Sequence, residues 1–265
     1  MKTQLTARLL ALMFTLAAIV PAAAAEWGSL KGRLVFDGDP GKPAAINVNK
    51  DGEYCGKHDL KDESITVGEK GGLTNAFVYL YVKKNGKVAI HPGLQKVGDK
   101  PAVLDNKGCR FEPRALLVRT SQPLEIRNSE TDPSIGHNTN ALTLFANPSF
   151  NNLIPQGQPF IVKFQKREAR PAEFACNIHP WMKSYVLISD HPYMAVTGRD
   201  GSFEIKDLPA GRHEFNFWHE AVGNLKNLSV GGAKTSRKGR GKLKIPAGKT
   251  LDLGDVKVPA KLFGK

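Results

Sequence analysis

Cysteine is scarce in this sequence, at three residues, and acids are outnumbered by bases, 25 to 38. An odd thiol count leaves at least one cysteine outside any disulfide. The formal charge of +13 sets the chain against basic partners and towards acidic ones: an acidic redox protein, an anionic polysaccharide or an anionic membrane surface. Nucleic acid fits the charge alone, but no nucleic-acid motif is present. Long apolar runs are missing after residue 25, so no transmembrane segment is expected there. Sustained helical periodicity is missing throughout, which excludes a helical bundle. There is no Gly-x-Ser-x-Gly, no phosphate-binding glycine loop and no paired-carboxylate arrangement, so nothing points to an enzyme.

The one apolar stretch, Leu9–Val20, follows the basic Lys2 and Arg8 and precedes Ala23-Ala24-Ala25. That order predicts a secretory signal over 1–25, removed before Glu26, and a periplasmic or secreted product. Its loss lowers the positive charge by two and places the cysteines in an oxidising compartment.

What is present is concentrated in Cys176-Asn-Ile-His179-Pro-Trp-Met182 and in the upstream pair His137-Asn138. One thiol, two imidazoles and one thioether form the donor set of a mononuclear blue-copper centre, with methionine as the weak axial ligand. Cys-x-x-His-x-x-Met is short enough for one loop between two strands to turn three donors inward. His137 must then arrive from a strand folded back beside it. No second cysteine stands close to Cys176, which excludes a binuclear copper site.

These residues resemble the cupredoxins of the plastocyanin and amicyanin kind, which carry a His-Asn pair on one strand and a Cys-x-x-His-Pro-x-Met loop near the end of the domain. Ile126–Glu130 is similar to the strand before the first ligand, whereas Thr131–Gly136 is longer than usual there. The resemblance covers residues 101–190 and implies a Greek-key sandwich holding one type 1 copper through His137, Cys176, His179 and Met182. It further implies that Asn138 ties the two ligand strands together. The ring edge of His179 would be the exposed path for electrons, with Ile178, Pro180 and Trp181 around it; Trp181 suits a core aromatic equally well. A single-electron carrier, not an enzyme, follows from the resemblance, and the charge adds an acidic redox partner. A copper storage or delivery protein and an exported carbohydrate- or protein-binding module are the alternatives. A Cys55–Cys109 disulfide leaves Cys176 free for metal; pairing of Cys176 with either of the others removes the site.

Short strands separated by Gly, Pro, Asn and Asp turns predict an all-β protein. Strands are expected at 28–36, 64–67, 75–82, 102–104, 115–119, 123–128, 159–165, 172–176, 184–189 and 251–258, with Asn47–Lys61 irregular. The stretch Asp200-Gly-Ser-Phe-Glu-Ile…Leu208-Pro-Ala-Gly211 resembles the transthyretin-like or carboxypeptidase-regulatory-like sandwich and reads as a three-stranded meander. The segments 28–36 and 75–82 resemble its first strands. The organisation expected is therefore an N-terminal β region over 26–100, a cupredoxin-like unit over 101–190 and a C-terminal β region over 191–265. The middle unit is inserted in, or packed between, parts of a second small β-sandwich. Lys234, Arg237, Lys238, Arg240, Lys242, Lys244 and Lys249 form an acid-free basic tract, either a solvated hairpin or a docking patch. His219-Glu220 lacks the second histidine of a zinc-protease helix. His58, His91, His191 and His213 have no ligand spacing and are expected at the surface.

Overall fold

A computed structural model describes residues 26–142 and 144–264; the predicted signal lies outside the described residues. The first strands are β1 (Trp27–Asp37) and β2 (Phe77–Leu80). There follow β3 (Ala102–Asn106), β4 (Phe111–Glu112), β5 (Ala115–Arg119), β6 (Pro123–Asn128), β7 (His137–Asn140), β8 (Asn151–Ile154), β9 (Phe160–Lys163), β10 (Ala172–Ala175) and β11 (Lys183–Ser189). The last are β12 (Met194–Val196), β13 (Ser202–Pro209), β14 (Gly211–His219), β15 (Gly223–Asn224), β16 (Ser229–Val230), β17 (Ala233–Lys234), β18 (Arg240–Ile245) and β19 (Thr250–Pro259). Helix is confined to single turns, of which α1 (Gly52–Cys55) matters below. The fold is all-β.

Strands β3 to β11 build two sheets of their own, in orders β5-β11-β10-β7-β8 and β4-β3-β6-β9. Between them lies a core that includes Leu104, Val118, Ile126, Phe164, Phe174 and Val186. The flanking strands make three other sheets, the smallest being the pair β16-β17. Of the larger two, one has the order β13-β1-β19, the other β12-β2-β14-β15 with β18 on β14. Alternation explains the first: Leu30, Leu34 and Phe36 of β1 and Phe203 and Ile205 of β13 point into a second core, and their neighbours face water.

Two strands break the alternation because both of their faces are covered. Val78 and Leu80 of β2 enter the second core, while Phe77 and Tyr79 pack with Trp218 against Ala115 and Leu187. On β11, Val186 and Ile188 face the first core and Leu187 the other way. The five-stranded sheets thus meet back to back, and the near-continuous apolar runs of these strands follow from that burial.

Arg114 and Glu220 span the same contact in a paired salt bridge, their side chains only 12% and 4% exposed. Burial lifts the Glu220 carboxyl and the guanidinium pulls it back, leaving it above its ordinary range. Removing one partner strands a buried charge, although Glu63 lies 3.6 Å from Arg114 and offsets part of the loss. Glu220→Gln is expected to cost about 3 kcal/mol, read as a lower denaturant midpoint; a shift near zero would show that Glu63 suffices.

Three expectations change. Residues 64–67 form no strand and contribute only a bridge between Val67 and Leu73. The meander is also absent: β12 pairs β2, β13 pairs β1 and β14 pairs β2, so these strands cross between sheets. The Asp200-Gly201 turn makes the crossing. Gly201 has φ +78°, and a Cβ there would sit 2.2 Å from the carbonyl oxygen of Leu34.

Third, His191, expected at the surface, is buried at 3% exposure; His219 is buried too, at 1%. Burial pushes both down to about 4; Arg114 adds to this at His219, and at His191 Asp190 partly opposes it while Arg167 and Arg119 assist. Below the ordinary histidine pKa the unfolded chain takes up protons that the fold refuses. Their contribution is therefore intact above pH 6.5 and is lost as pH falls through 6.5 towards 4. The loss is roughly 3 kcal/mol per histidine. Urea midpoints should decline over that window in the parent protein, and the decline should flatten in a His191→Asn, His219→Asn double variant.

Candidate metal centre

The hairpin of β10 and β11 pairs Ala175 with Lys183, leaving the seven residues 176–182 as its loop. Internal hydrogen bonds shape it: the Cys176 N–H donates to Met182 O at 3.2 Å and the Met182 N–H to His179 O at 2.9 Å. Cys176, His179 and Met182 are buried, whereas Asn177 and Pro180 face water. Strand β7 lies beside β10, joined at Ala175 and Asn140, and this brings His137 to the loop from its far end.

The donors converge. Nδ1 of His137 and Nδ1 of His179 each lie 4.0 Å from the sulfur of Cys176. One donor atom from each of the three residues lies within 4.8 Å of the others, and the imidazole centroids are 4.7 Å apart. Bonds of about 2 Å to a shared ion put trigonal N and S donors roughly 3.5 Å from each other. The two sulfur–nitrogen separations need to close by about half an ångström. The donor set, soft thiolate with two imidazoles and a buried thioether residue beside them, fits a type 1 copper.

Cys176 is the one free cysteine among the described residues, since Cys55 and Cys109 are joined by a disulfide. Burial raises the Cys176 thiol, but both imidazoles and contacts from Asn138 and the His179 N–H outweigh it, bringing it down to about 6. At neutral pH the sulfur is thus largely thiolate, the form that binds metal. Asn138, on β7, reaches the loop. Its Oδ1 accepts from the N–H groups of Asn177 and Ile178 at 2.8 and 3.3 Å and lies 3.3 Å from the sulfur, pinning the loop to β7.

Two acids not assigned by sequence reasoning complete the arrangement. Glu130 lies 3.0 Å from Nε2 of His137, and Asp51 lies 2.8 Å from Nε2 of His179. An ionised carboxylate only accepts hydrogen bonds, so each Nε2 presents a proton to its acid and each Nδ1 is the ring atom turned towards the sulfur. Glu130 also accepts from the Tyr54 hydroxyl and the N–H groups of Gly108 and Cys109. Burial alone raises its carboxyl, yet these donors hold it at about 2. Burial also opposes protonation of His137, but the Cys176 sulfur and Glu130 leave its pKa above the ordinary value.

Asp51 comes from a distant part of the chain. Residues 44–62 close on themselves through Ile46 N–H to Leu60 O and Asp62 N–H to Ala44 O. At the tip, α1 follows Asp51, which sits in the left-handed region at φ 49°. The Cys55–Cys109 bridge staples this flap to the β3–β4 turn, and the Trp181 indole N–H donates to Cys109 O at 3.0 Å. Trp181 packs against Cys55, Leu60 and Cys109, so it joins the loop to the flap.

The flap overturns one expectation. The His179 side chain is 0% exposed, not open to solvent, because Asp51 and Trp181 cover its outer edge. Exposed apolar side chains stand elsewhere: Leu142 at 63%, Phe145 at 73% and Leu153 at 70%. Asn140, two residues before Leu142, donates to Asn177 of the loop, and Arg170 lies over the Phe145 ring. A second cluster, His58, Cys109 and Glu130, offers no thiolate because the Cys109 sulfur is in the disulfide. Glu130 was visible only as the end of a strand, and Asp51 only as part of an irregular tract. No spacing rule links either to a histidine.

No family model matches the chain and no curated protein does. Among solved structures it is similar to a copper-containing nitrite reductase from Thermus scotoductus SA-01, at 16% identity and TM-score 0.32. That match covers 42% of this chain and only 25% of the reductase. An amicyanin variant in its oxidised state is 19% identical over 35% of this chain and 86% of its own, at TM-score 0.30. A purple cupredoxin from Nitrosopumilus maritimus is 18% identical over 33% and 99%, at TM-score 0.28.

Proposed function

We propose that this chain is an exported type 1 copper protein that carries single electrons between redox partners and catalyses no reaction of its own. The ligands in this reading are His137, Cys176 and His179, with Met182 as the weak axial donor and Asn138 supporting the loop. The observation that carries it is the approach of both Nδ1 atoms to one buried sulfur at 4.0 Å. Copper bound there supplies a one-electron couple that thiolate and imidazole support in both oxidation states. The chain supplies the rest: a β frame fixes the donors, and two carboxylates hold the imidazole tautomers. Carboxylates at both Nε2 atoms favour metal ligation over a merely structural cluster, since such partners orient ligating histidines.

The reading includes an organisation in which the copper unit over 101–190 is carried between parts of a second β-sandwich, 26–100 and 191–265. It also includes a periplasmic or secreted location and an acidic redox partner, the last supported by the charge of +13. A storage or delivery role without redox turnover is the second reading; the covered His179 favours it. Cyclic reduction and reoxidation of the copper-loaded protein separates them. Reversible conversion supports the carrier, while a site stable only with Cu(I) and colourless throughout supports storage.

A further inference from the structure

We propose that Asp51 and Glu130 act as a paired carboxylate clamp, delivered by the disulfide-stapled flap, that biases the centre towards oxidised copper. The inference rests on the copper reading above and concerns what this chain adds to a site of that kind. Each imidazole has its outer nitrogen on a carboxylate, at 3.0 Å for His137 and 2.8 Å for His179. A carboxylate accepting the Nε2 proton draws it away from the ring and makes Nδ1 a stronger donor. Two negative charges behind two ligands favour the more positive metal state, because like any nearby opposite charge they stabilise the form with more positive charge. Low exposure strengthens the effect. Both imidazoles are buried and Glu130 is 1% exposed, so little water screens that carboxylate, whereas Asp51, 27% exposed and 3.6 Å from Lys50, is screened more.

The two acids form one connected unit. Tyr54 in α1 donates its hydroxyl to Glu130 at 3.0 Å, and Asp51 stands immediately before the same turn. Cys55, in that turn, is bonded to Cys109, whose N–H also donates to Glu130. The flap therefore sets both carboxylates at once. Asp51, with its side chain 27% exposed, bonded to His179 and otherwise only 3.6 Å from Lys50, is the member that can be altered without dismantling the network. Glu130, with four donors, is also structural.

The test is a redox titration of the copper-loaded protein, followed by its visible band, for the parent, Asp51→Asn and Asp51→Glu. Asparagine retains an acceptor for the His179 N–H but removes the charge; glutamate keeps the charge. Asp51→Asn is expected to raise the reduction potential, shifting the reduced-to-oxidised ratio at a fixed potential about tenfold, equivalent to 59 mV for one electron. Asp51→Glu should recover most of the parent value. A band of parental intensity with an unchanged or lowered potential in Asp51→Asn would overturn the clamp while leaving the copper reading intact. If the parent protein takes up no copper, that reading fails, and nitrogen NMR of the metal-free protein decides the remaining claim. Nε2-protonated rings at His137 and His179, with the preference lost at His179 alone in Asp51→Ala, support the clamp; Nδ1-protonated rings in the parent overturn it.

Discussion

One equivalent of Cu(II) is expected to give the purified protein an intense visible band, and Cys176→Ser is expected to abolish it. The band requires a thiolate bound directly to the metal, and Cys176 is the free sulfhydryl among the described residues. Its thiol is brought down to about 6 from an ordinary 9, so little work is needed to deprotonate it at neutral pH. In the metal-free protein a depressed thiol contributes stability that is full above pH 9 and is lost as pH falls through 6. Colour development should weaken over the lower part of that range, where proton and copper compete for one sulfur. Cys176→Ser keeps the volume of the site nearly unchanged and should remain folded, which near-ultraviolet circular dichroism would verify. A band that survives the substitution would mean that another group ligates the ion.

The second large effect concerns the staple. Cys55 and Cys109 are 54 residues apart in sequence, and their bridge removes a long loop's worth of disorder from the unfolded chain. The chain-entropy relation gives about 4 kcal/mol for a loop of this size. Replacing both cysteines by serine should therefore lower the denaturant midpoint strongly, more than any surface substitution. It should also loosen the flap from the ligand loop, because Trp181 of the loop donates to Cys109 and Asp51 of the flap meets His179 of the loop. Tryptophan fluorescence would report the change at Trp181. A midpoint within about 1 kcal/mol of the parent would indicate that hydrogen bonds at Glu130 hold the flap unaided.

How much of this could be read from residues alone differs between the loop and its surroundings. The loop was legible because its donors are three and six residues from one cysteine, and a short hairpin turn leaves them few directions to point. Asn138 was legible beside His137 for the same local reason. The flap was not. Asp51 lies 128 positions from His179, and the acid that meets an imidazole through space leaves no periodic trace in sequence. The burial of His191 and His219 was hidden similarly: neither has a ligand spacing, and the rings that meet them are Tyr193 and Phe263. The crossing of β12, β13 and β14 between sheets was missed because alternation within a strand fixes which side chains face a core, not which neighbour the strand takes.

By itself the sequence determined an all-β chain, strongly basic, with one Cys-x-x-His-x-x-Met loop and one His-Asn pair able to supply four soft or borderline donors. Those properties follow from local rules: period-two alternation, turn chemistry and ligand spacing. The tertiary structure alone decided that the two histidines are backed by carboxylates, that one disulfide locks the acid-bearing flap over His179, and that the ring edge is closed to water. These are contacts between segments far apart in the chain. They arise from how the sheets and the flap fill space, which no short stretch of residues encodes.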